Sequence, residues 1–405
     1  MLKISVCSIN YRRSLKMKVC GIIAEYNPLH CGHEYQLKLA RQHFDSIVII
    51  MSGSFTQRGD TAVIDKWQRA QCALLAGADL VLELPAVYAV STAERFACGG
   101  VSVLEAIGCA DALLFGSECG DISALTKAAE RLADETQEVK DNIRSLMKSG
   151  ISYASARTEA YKGIISGELL SKPNNILAIE YIKQLLLTGS RISPVTHKRS
   201  GSGYLDTKLP ECRFASASAI RANLASPEKI KAYMPDSSFD ILTKSEKYSL
   251  KNLGTAAAYF IRTAGPDALK SCLECTEGLE NRIYSAAQSY SDIEQISDAA
   301  CTKRYTRAKI RRIILNSMLG ITREMCFIKP NYIRVLGASS NGQKLLSRIK
   351  ENSCTDIITK VSAYKKKNTL FKKDILSTDI HALSASIESN RRCGSDFYTS
   401  PIMLQ

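Results

Sequence analysis

Two histidines separated by two residues, in His30-Cys31-Gly32-His33, follow the apolar run 19–24 and the turn Tyr26-Asn27-Pro28. Strand, Pro-containing turn and helix start, in that order, place both rings on the first turn of a helix. Unpaired N–H groups and the positive dipole end attract phosphate there. Residues at i and i+3 share a helix face. Imidazole titrates near neutrality, so each ring is expected to donate to a phosphate oxygen and to stabilise charge on a departing pyrophosphate. Gly32 lets the backbone approach that phosphate closely. The competing readings are half-buried polar residues at a helix start, or a metal pair. Zinc wants three or four ligands, and the other histidines, His43, His197 and His381, stand at no ligand spacing from the first pair. No metal held by protein ligands alone is expected.

The elements that must position this corner are legible in the first 120 residues. Apolar runs at 19–24, 46–51, 79–84 and 112–115 read as buried strands, and 34–43, 66–76 and 93–107 as helices. This is the alternation of βαβ units on a parallel sheet, an α/β Rossmann-like fold with ligand loops at the carboxyl ends of the strands. The polar stretches 25–33, 52–60 and Gly116-Ser117-Glu118 sit on those ends. From 121 the chain reads as helical over 124–147 and 176–187, with Pro173-Asn174-Asn175 as the turn between. A strand at 192–197, a Gly/Ser loop at 198–204 and a helix capped by Ser216 follow. Pro, Ser and Asp accumulate at 226–239. The expected division is therefore an extension at 1–16 outside the fold, a nucleotide-binding catalytic unit at 17–225, and a basic, mostly α-helical unit at 240–405. Met17, just before the first strand, is a second candidate for the translation start.

Net charge is +14 over 405 residues, yet residues 301–373 alone hold eighteen Lys and Arg against three Asp and Glu. That excess points to a polyanion, with nucleic acid favoured over a merely solvated basic face. Arg304, Arg307 and Arg311 are expected on one helical face with Arg312 beside them, and Lys365, Lys366 and Lys367 continue the charge. The most apolar stretch, 73–90, is interrupted by Asp79, Glu83 and Pro85, so no membrane span is expected. The opening residues lack the apolar core of a secretory signal. Fourteen scattered cysteines, with Cys272 and Cys275 the one C-x-x-C pair, read as reduced thiols of a cytoplasmic protein.

Read together, several motifs resemble one family. Glu25-Tyr26-Asn27-Pro28-Leu29-His30-Cys31-Gly32-His33, Met51-Ser52-Gly53 with Gln57-Arg58-Gly59, Lys66-Trp67, Phe115-Gly116-Ser117-Glu118, Pro173-Asn174-Asn175-Ile176-Leu177, Lys198-Arg199 and Tyr305-Thr306-Arg307 are similar to those of bacterial tRNA(Met) cytidine acetate ligases. These belong to the H-x-G-H nucleotidylyltransferase superfamily. The resemblance runs in order from about residue 17 to about 346.

It implies activation of acetate by ATP to acetyl-adenylate, with Mg²⁺, then transfer to the wobble cytidine of elongator tRNA(Met). The products are N4-acetylcytidine, AMP and pyrophosphate. It further implies that Ile23, Ala24, Glu25, Tyr26, Asn27, Pro28, Leu29, His30, Cys31, Gly32, His33, Glu34, Tyr35 and Gln36 wrap ATP, with His30 and His33 catalytic. Gly116, Asn174 or Asn175, and Lys198 with Arg199 are the implied further ATP contacts. Ser218 and Arg221, in 216–221, match the second phosphate motif. Simpler roles compete: a strand-end turn at Gly116, helix capping by the asparagines, a surface charge at Arg199.

The sequence departs from the pattern at Leu29, Cys31, Asp60-Thr61, Ala178 and Leu205, which puts the acetate pocket and acyl selectivity in question. A small-molecule adenylyltransferase would not need the basic C-terminal third. An RNA-binding protein with a vestigial nucleotide site would not need the intact histidine pair, Gly32 and Arg199. The residues leave monomer and homodimer both open.

Overall fold

A computed structural model describes residues 17–199 and 209–405, and the backbone of Ser5–Val6. Its sheet has nine strands: β1 (Ser5–Val6), β2 (Val19–Ala24), β3 (Ser46–Ser52), β4 (Leu80–Leu84), β5 (Ala112–Ser117), β6 (Ser193–Lys198), β7 (Tyr332–Ala338), β8 (Asp356–Ile358) and β9 (Ile402–Met403). They run in the order β1-β6-β5-β2-β3-β4-β7-β8, with β9 against β7. The segment from β2 to β6 is parallel throughout. Helices cover both faces, which explains why β3 and β4 are buried at every residue and read as unbroken apolar runs. From β2 the chain winds outward to β3 and β4, then returns to β5 on the other side. The strand order thus reverses between β2 and β5. In such a sheet the crevice outside the carboxyl ends of those two strands is the ligand position, and the histidine motif follows β2 directly.

Three expectations are corrected. The predicted 124–147 helix is two, Ile122–Ala133 and Gln137–Lys148, each with its own side-chain N-cap, Asp121 and Thr136. Pro173 is not in a turn but opens the helix Pro173–Leu187, where its missing N–H costs nothing. The extension at 1–16 is not wholly outside the fold, since Ser5 and Val6 pair antiparallel with Thr196 and Val195. The C-terminal third is mostly helical, as expected, from Gly254–Lys270 through Arg307–Met318 to Ser340–Asn352 and Thr369–Ala382, and it also adds strands: β7 rejoins the sheet antiparallel to β4, and β8 and β9 pair with β7 in parallel. Leu205 and most of the 198–204 loop lie outside the described residues. Among the described residues no helix is long and apolar enough to cross a membrane.

A buried ionic cluster ties the chain's far end to this sheet. Lys66, 1% exposed, lies 2.9 Å from both carboxylate oxygens of Glu83 on β4 and 2.9 Å from Asp396. Arg334 of β7 reaches the same Asp396 at 3.4 Å. Burial works against the Lys66 charge, but Asp396 and Glu83 outweigh it and hold its pKa above the ordinary lysine range.

Candidate nucleotide-binding and catalytic cleft

His30 is the N-cap of the helix Cys31–Arg41. Its Nδ1 accepts from the Gly32 N–H at 3.1 Å, and His33 Nδ1 accepts from the His30 N–H at 3.3 Å. The two rings stack with centroids 3.7 Å apart, and Tyr26 meets His33 edge-on at 4.8 Å. An Nδ1 that accepts carries no proton, so each neutral ring keeps its hydrogen on Nε2 and presents one donor. Burial, with Arg199 and Arg221 adding repulsion, holds the His30 pKa at about 3. Burial, then His30 and Arg199, likewise hold His33 well below the ordinary range. The expectation of rings titrating near neutrality is therefore corrected: they are fixed neutral N–H donors.

The loop between β2 and this helix is held by its own side chains. Tyr26 adopts a φ of 47°, uncommon outside glycine. Asn27 fixes it by accepting from the Val63 N–H at 2.8 Å and donating to Thr61 O at 3.2 Å. Arg221 donates to Asn27 O at 2.7 Å and to Ser218 Oγ at 3.3 Å, so the 216–221 segment is clamped onto the loop that precedes the histidines. Ser216 caps their short helix through the Ala219 N–H. Beneath the loop, fully buried Arg69 gathers the carbonyls of Glu25, Ser52, Gly53 and Ile64. It joins the ends of β2 and β3 with one guanidinium.

Across the cleft, Glu118 acts on the opposing helix. Its carboxylate accepts from the Asn174 N–H at 3.1 Å, the Asn174 side chain at 2.8 Å and the Asn175 N–H at 2.7 Å. A carboxylate at a helix N-terminus satisfies orphan donors and the dipole together. Asn175 Oδ1 in return accepts from Glu118 N and Cys119 N. Asn175 is wholly buried, whereas Asn174 reaches the cleft. Neither asparagine is the N-cap; that position is Lys172. Gly116 is constrained from behind, because a Cβ there would stand 2.9 Å from Arg199 Cγ and 3.1 Å from His197 Nε2.

The cleft lining brings together most of the expected residues: Ile23, Ala24, Glu25, Tyr26, Asn27, His30, His33, Gln36, Gly116, Asn174, Arg199, Ser218 and Arg221. Gly32, Tyr35 and Lys198 line an adjoining recess that shares His30 and Arg199. Pro28, Leu29, Cys31 and Glu34 are not in the cleft. Leu29 and Cys31 are buried in the fold, and Glu34 pairs with Lys38 at 2.9 Å. Thr56, Gln57 and Arg58 do line it, although the sequence reading, which marked Gln57-Arg58-Gly59 as a family motif on a strand-end loop, gave them no part in the site. Phe96, Phe115, Leu177, Ala178 and Tyr181 add an apolar side suited to a purine.

The expected basic face is different from the sequence picture. Arg304 lies ahead of the helix Arg307–Met318, so it does not share a helical face with Arg307 and Arg311. Arg304 pairs with Glu277, Arg307 with Asp298, Arg311 with Glu294 and Arg312 with Glu274. All four carboxylates precede residue 301, so a charge count confined to 301–373 cannot see them. Lys365, Lys366 and Lys367 are exposed, with Lys366 2.6 Å from Asp356.

The buried imidazoles also set an acid limit on stability. A histidine whose folded pKa lies below its unfolded value near 6.5 stabilises the fold fully above that value. It loses the contribution as pH falls, because the unfolded chain takes up the proton first. Burial places His30 and His381 at about 3 and His197 at about 4. Unfolding free energy is expected to drop by on the order of 1 kcal/mol per histidine per pH unit between about pH 6 and pH 4. Urea titrations across that window measure it; a flat stability would contradict neutral burial.

The HIGH Nucleotidyl Transferase family matches residues 17–396. The tRNA(Met) cytidine acetate ligase of Thermoanaerobacter sp. (strain X514) is 42% identical over 406 residues, covering 96% of this chain and 100% of the relative. The chain belongs to the tRNA(Met) cytidine acetate ligase family. A further ligase so named, from Caldanaerobacter subterraneus subsp. tengcongensis, is 40% identical over 91% of this chain and 96% of its own. The crystal structure of Thermotoga maritima TmcAL bound with alpha-thio ATP superposes with a TM-score of 0.88 at 33% identity, covering 96% of this chain and all of that one. Its apo form gives 0.89. Family membership fits the geometry: an H-x-G-H corner at the strand-order reversal, sharing its cleft with Ser218 and Arg221.

Proposed function

We propose that this protein ligates acetate to the wobble cytidine of elongator tRNA(Met) in the cytoplasm, using ATP. The observation that carries the reading is the convergence of two neutral histidine donors, Ser218, Arg221 and Arg199 on one cleft, with Asn174 and an apolar wall opposite, in a member of this family. The acetate oxygen attacks the α-phosphorus, the bond to the β-phosphate bridging oxygen breaks, and pyrophosphate leaves. His30 and His33 Nε2–H, with Arg221 and Arg199, stabilise charge on the departing group without giving up a proton. The cytidine N4 then attacks the acetyl carbonyl; the C–N bond forms, the C–O bond to AMP breaks, and N4 loses a proton.

The donor set fits a Mg²⁺ carried in by the triphosphate rather than caged by protein. Among the described residues no group of three or more His, Cys, Asp or Glu side chains is arranged to hold a metal ion, and Glu25 is the one carboxylate lining the cleft. Bound in that way the ion supplies charge neutralisation. For RNA, the exposed Lys365 and Lys367 are better contacts than the carboxylate-paired arginines, and Lys366 beside them is itself paired with Asp356. The test is incubation with labelled acetate, ATP, Mg²⁺ and elongator tRNA(Met), followed by digestion. Label in acetylcytidine is the expected result, and folded protein that labels no nucleoside overturns the reading.

A further inference from the structure

Arg312 sits in the helix Arg307–Met318, where sequence assigns it to RNA, yet its contacts run the other way. Its Nε and Nη2 form a two-pronged pair with Glu274, both at 2.5 Å, and Nη1 donates to Gln57 O at 3.0 Å. With its side chain only 13% exposed, the fork has little left to offer a phosphate. Gln57 belongs to the cleft-lining stretch Thr56, Gln57, Arg58. On the opposite side of the same residue, the Gln57 N–H donates to Glu25 Oε1 at 2.7 Å. The loop closes on itself through Thr56 N to Asp60 O and Gly59 N to Thr56 O, both 2.9 Å. Gly59, at φ 69°, presses on the helix backbone so closely that a Cβ would fall 2.7 Å from Arg312 N. No side chain other than hydrogen fits there, in conformation or in space.

We propose that Arg312 is a positioning residue for acetyl-adenylate formation. Through the Gln57 carbonyl it fixes the cleft edge formed by Gln57 and Arg58, while Glu274 holds its guanidinium in register. The helical layer thereby sets the geometry of the cleft it borders. A planar fork spanning a carboxylate and a carbonyl is not reproduced by an ammonium. Misplacement of a reacting edge by about 1 Å can cost on the order of 100-fold in rate. The proposal rests on the acetate-ligase reading.

The test is acetate-dependent exchange of pyrophosphate into ATP, measured without tRNA, beside tRNA affinity over a salt series. Arg312→Gln is expected to lower kcat for exchange by about 10–100-fold with KM for ATP and the salt slope of tRNA binding unchanged, and Arg312→Lys to recover part of the loss. Glu274→Gln separates the two roles by sign. It lowers exchange if Arg312 must be held in register, but leaves exchange intact and tightens tRNA binding if Arg312 is an RNA contact freed of its counter-ion. The second pattern overturns the proposal. So does Arg312→Gln with normal exchange, or loss of exchange and of tRNA affinity together. Wild-type protein without any acetate-dependent exchange would remove the ligase reading itself, and this assignment with it.

Discussion

Alanine in place of His33 is expected to lower acetate-dependent pyrophosphate exchange by about 10²–10³-fold, the usual consequence of deleting one oriented donor from a developing charge. Its ring is stacked on His30, held edge-on by Tyr26 and fixed in tautomer by the His30 N–H, so the Nε2 donor is placed before substrate arrives. Such preorganisation is lost entirely with the ring. The accompanying loss of one capping bond costs only about 1 kcal/mol, so the fold survives. Exchange assays on His33→Ala with parallel tRNA binding and thermal unfolding make the test. A fall in stability and tRNA affinity matching the fall in exchange would make His33 a helix cap and nothing more.

The second large effect concerns stability. Lys66→Met is expected to destabilise the protein by about 3–5 kcal/mol, because removing the ammonium takes the ion-pair partner from buried Glu83 and leaves Asp396 only the longer contact to Arg334. Glu83 and Asp396, 3% and 2% exposed, would face each other without the ammonium between them. Since Asp396 stands six residues before β9 (Ile402–Met403), the lesion should first release the C-terminal segment holding β9. Urea unfolding gives the free energy, and limited proteolysis with mass mapping gives the place. A variant as stable as the wild type with an intact C-terminus would show that the cluster's pairing contributes no net stability.

Much of this was legible in the sequence where a single local rule decided the outcome. β2, β3, β4 and β5 are apolar runs bounded by turn residues, and the H-x-G-H stretch could only open a helix. The residues missed are those whose meaning depends on a distant partner. β7 was not recognised as a strand although all seven of its residues are buried. Its Arg334 reads as a surface charge until Asp396, far along the chain, is seen beside it. Arg69 is hidden in the same way, since its partners are backbone carbonyls that sequence does not display. The basic window 301–373 misled because Glu274, Glu277, Glu294 and Asp298, which pair with its arginines, lie upstream of it. Gln57 and Arg58, already marked as a family motif, could also have been assigned to the site: a Gln-Arg-Gly turn just past a buried strand, in a sheet whose loops carry ligands, is a positional signal.

The pairing of β4 with β7 has a consequence for how the chain comes off the ribosome. About 250 residues separate the two strands, so β4 must wait through most of synthesis with one row of backbone groups unpaired. Leu80, Val81, Leu82 and Leu84 on that open edge would recruit any other extended chain. Glu83, an ionised group facing inward on the same strand, is then a guard against such recruitment. In the nascent chain it repels wrong partners, and only the arrival of the C-terminal segment completes the charge cluster in which it can be buried.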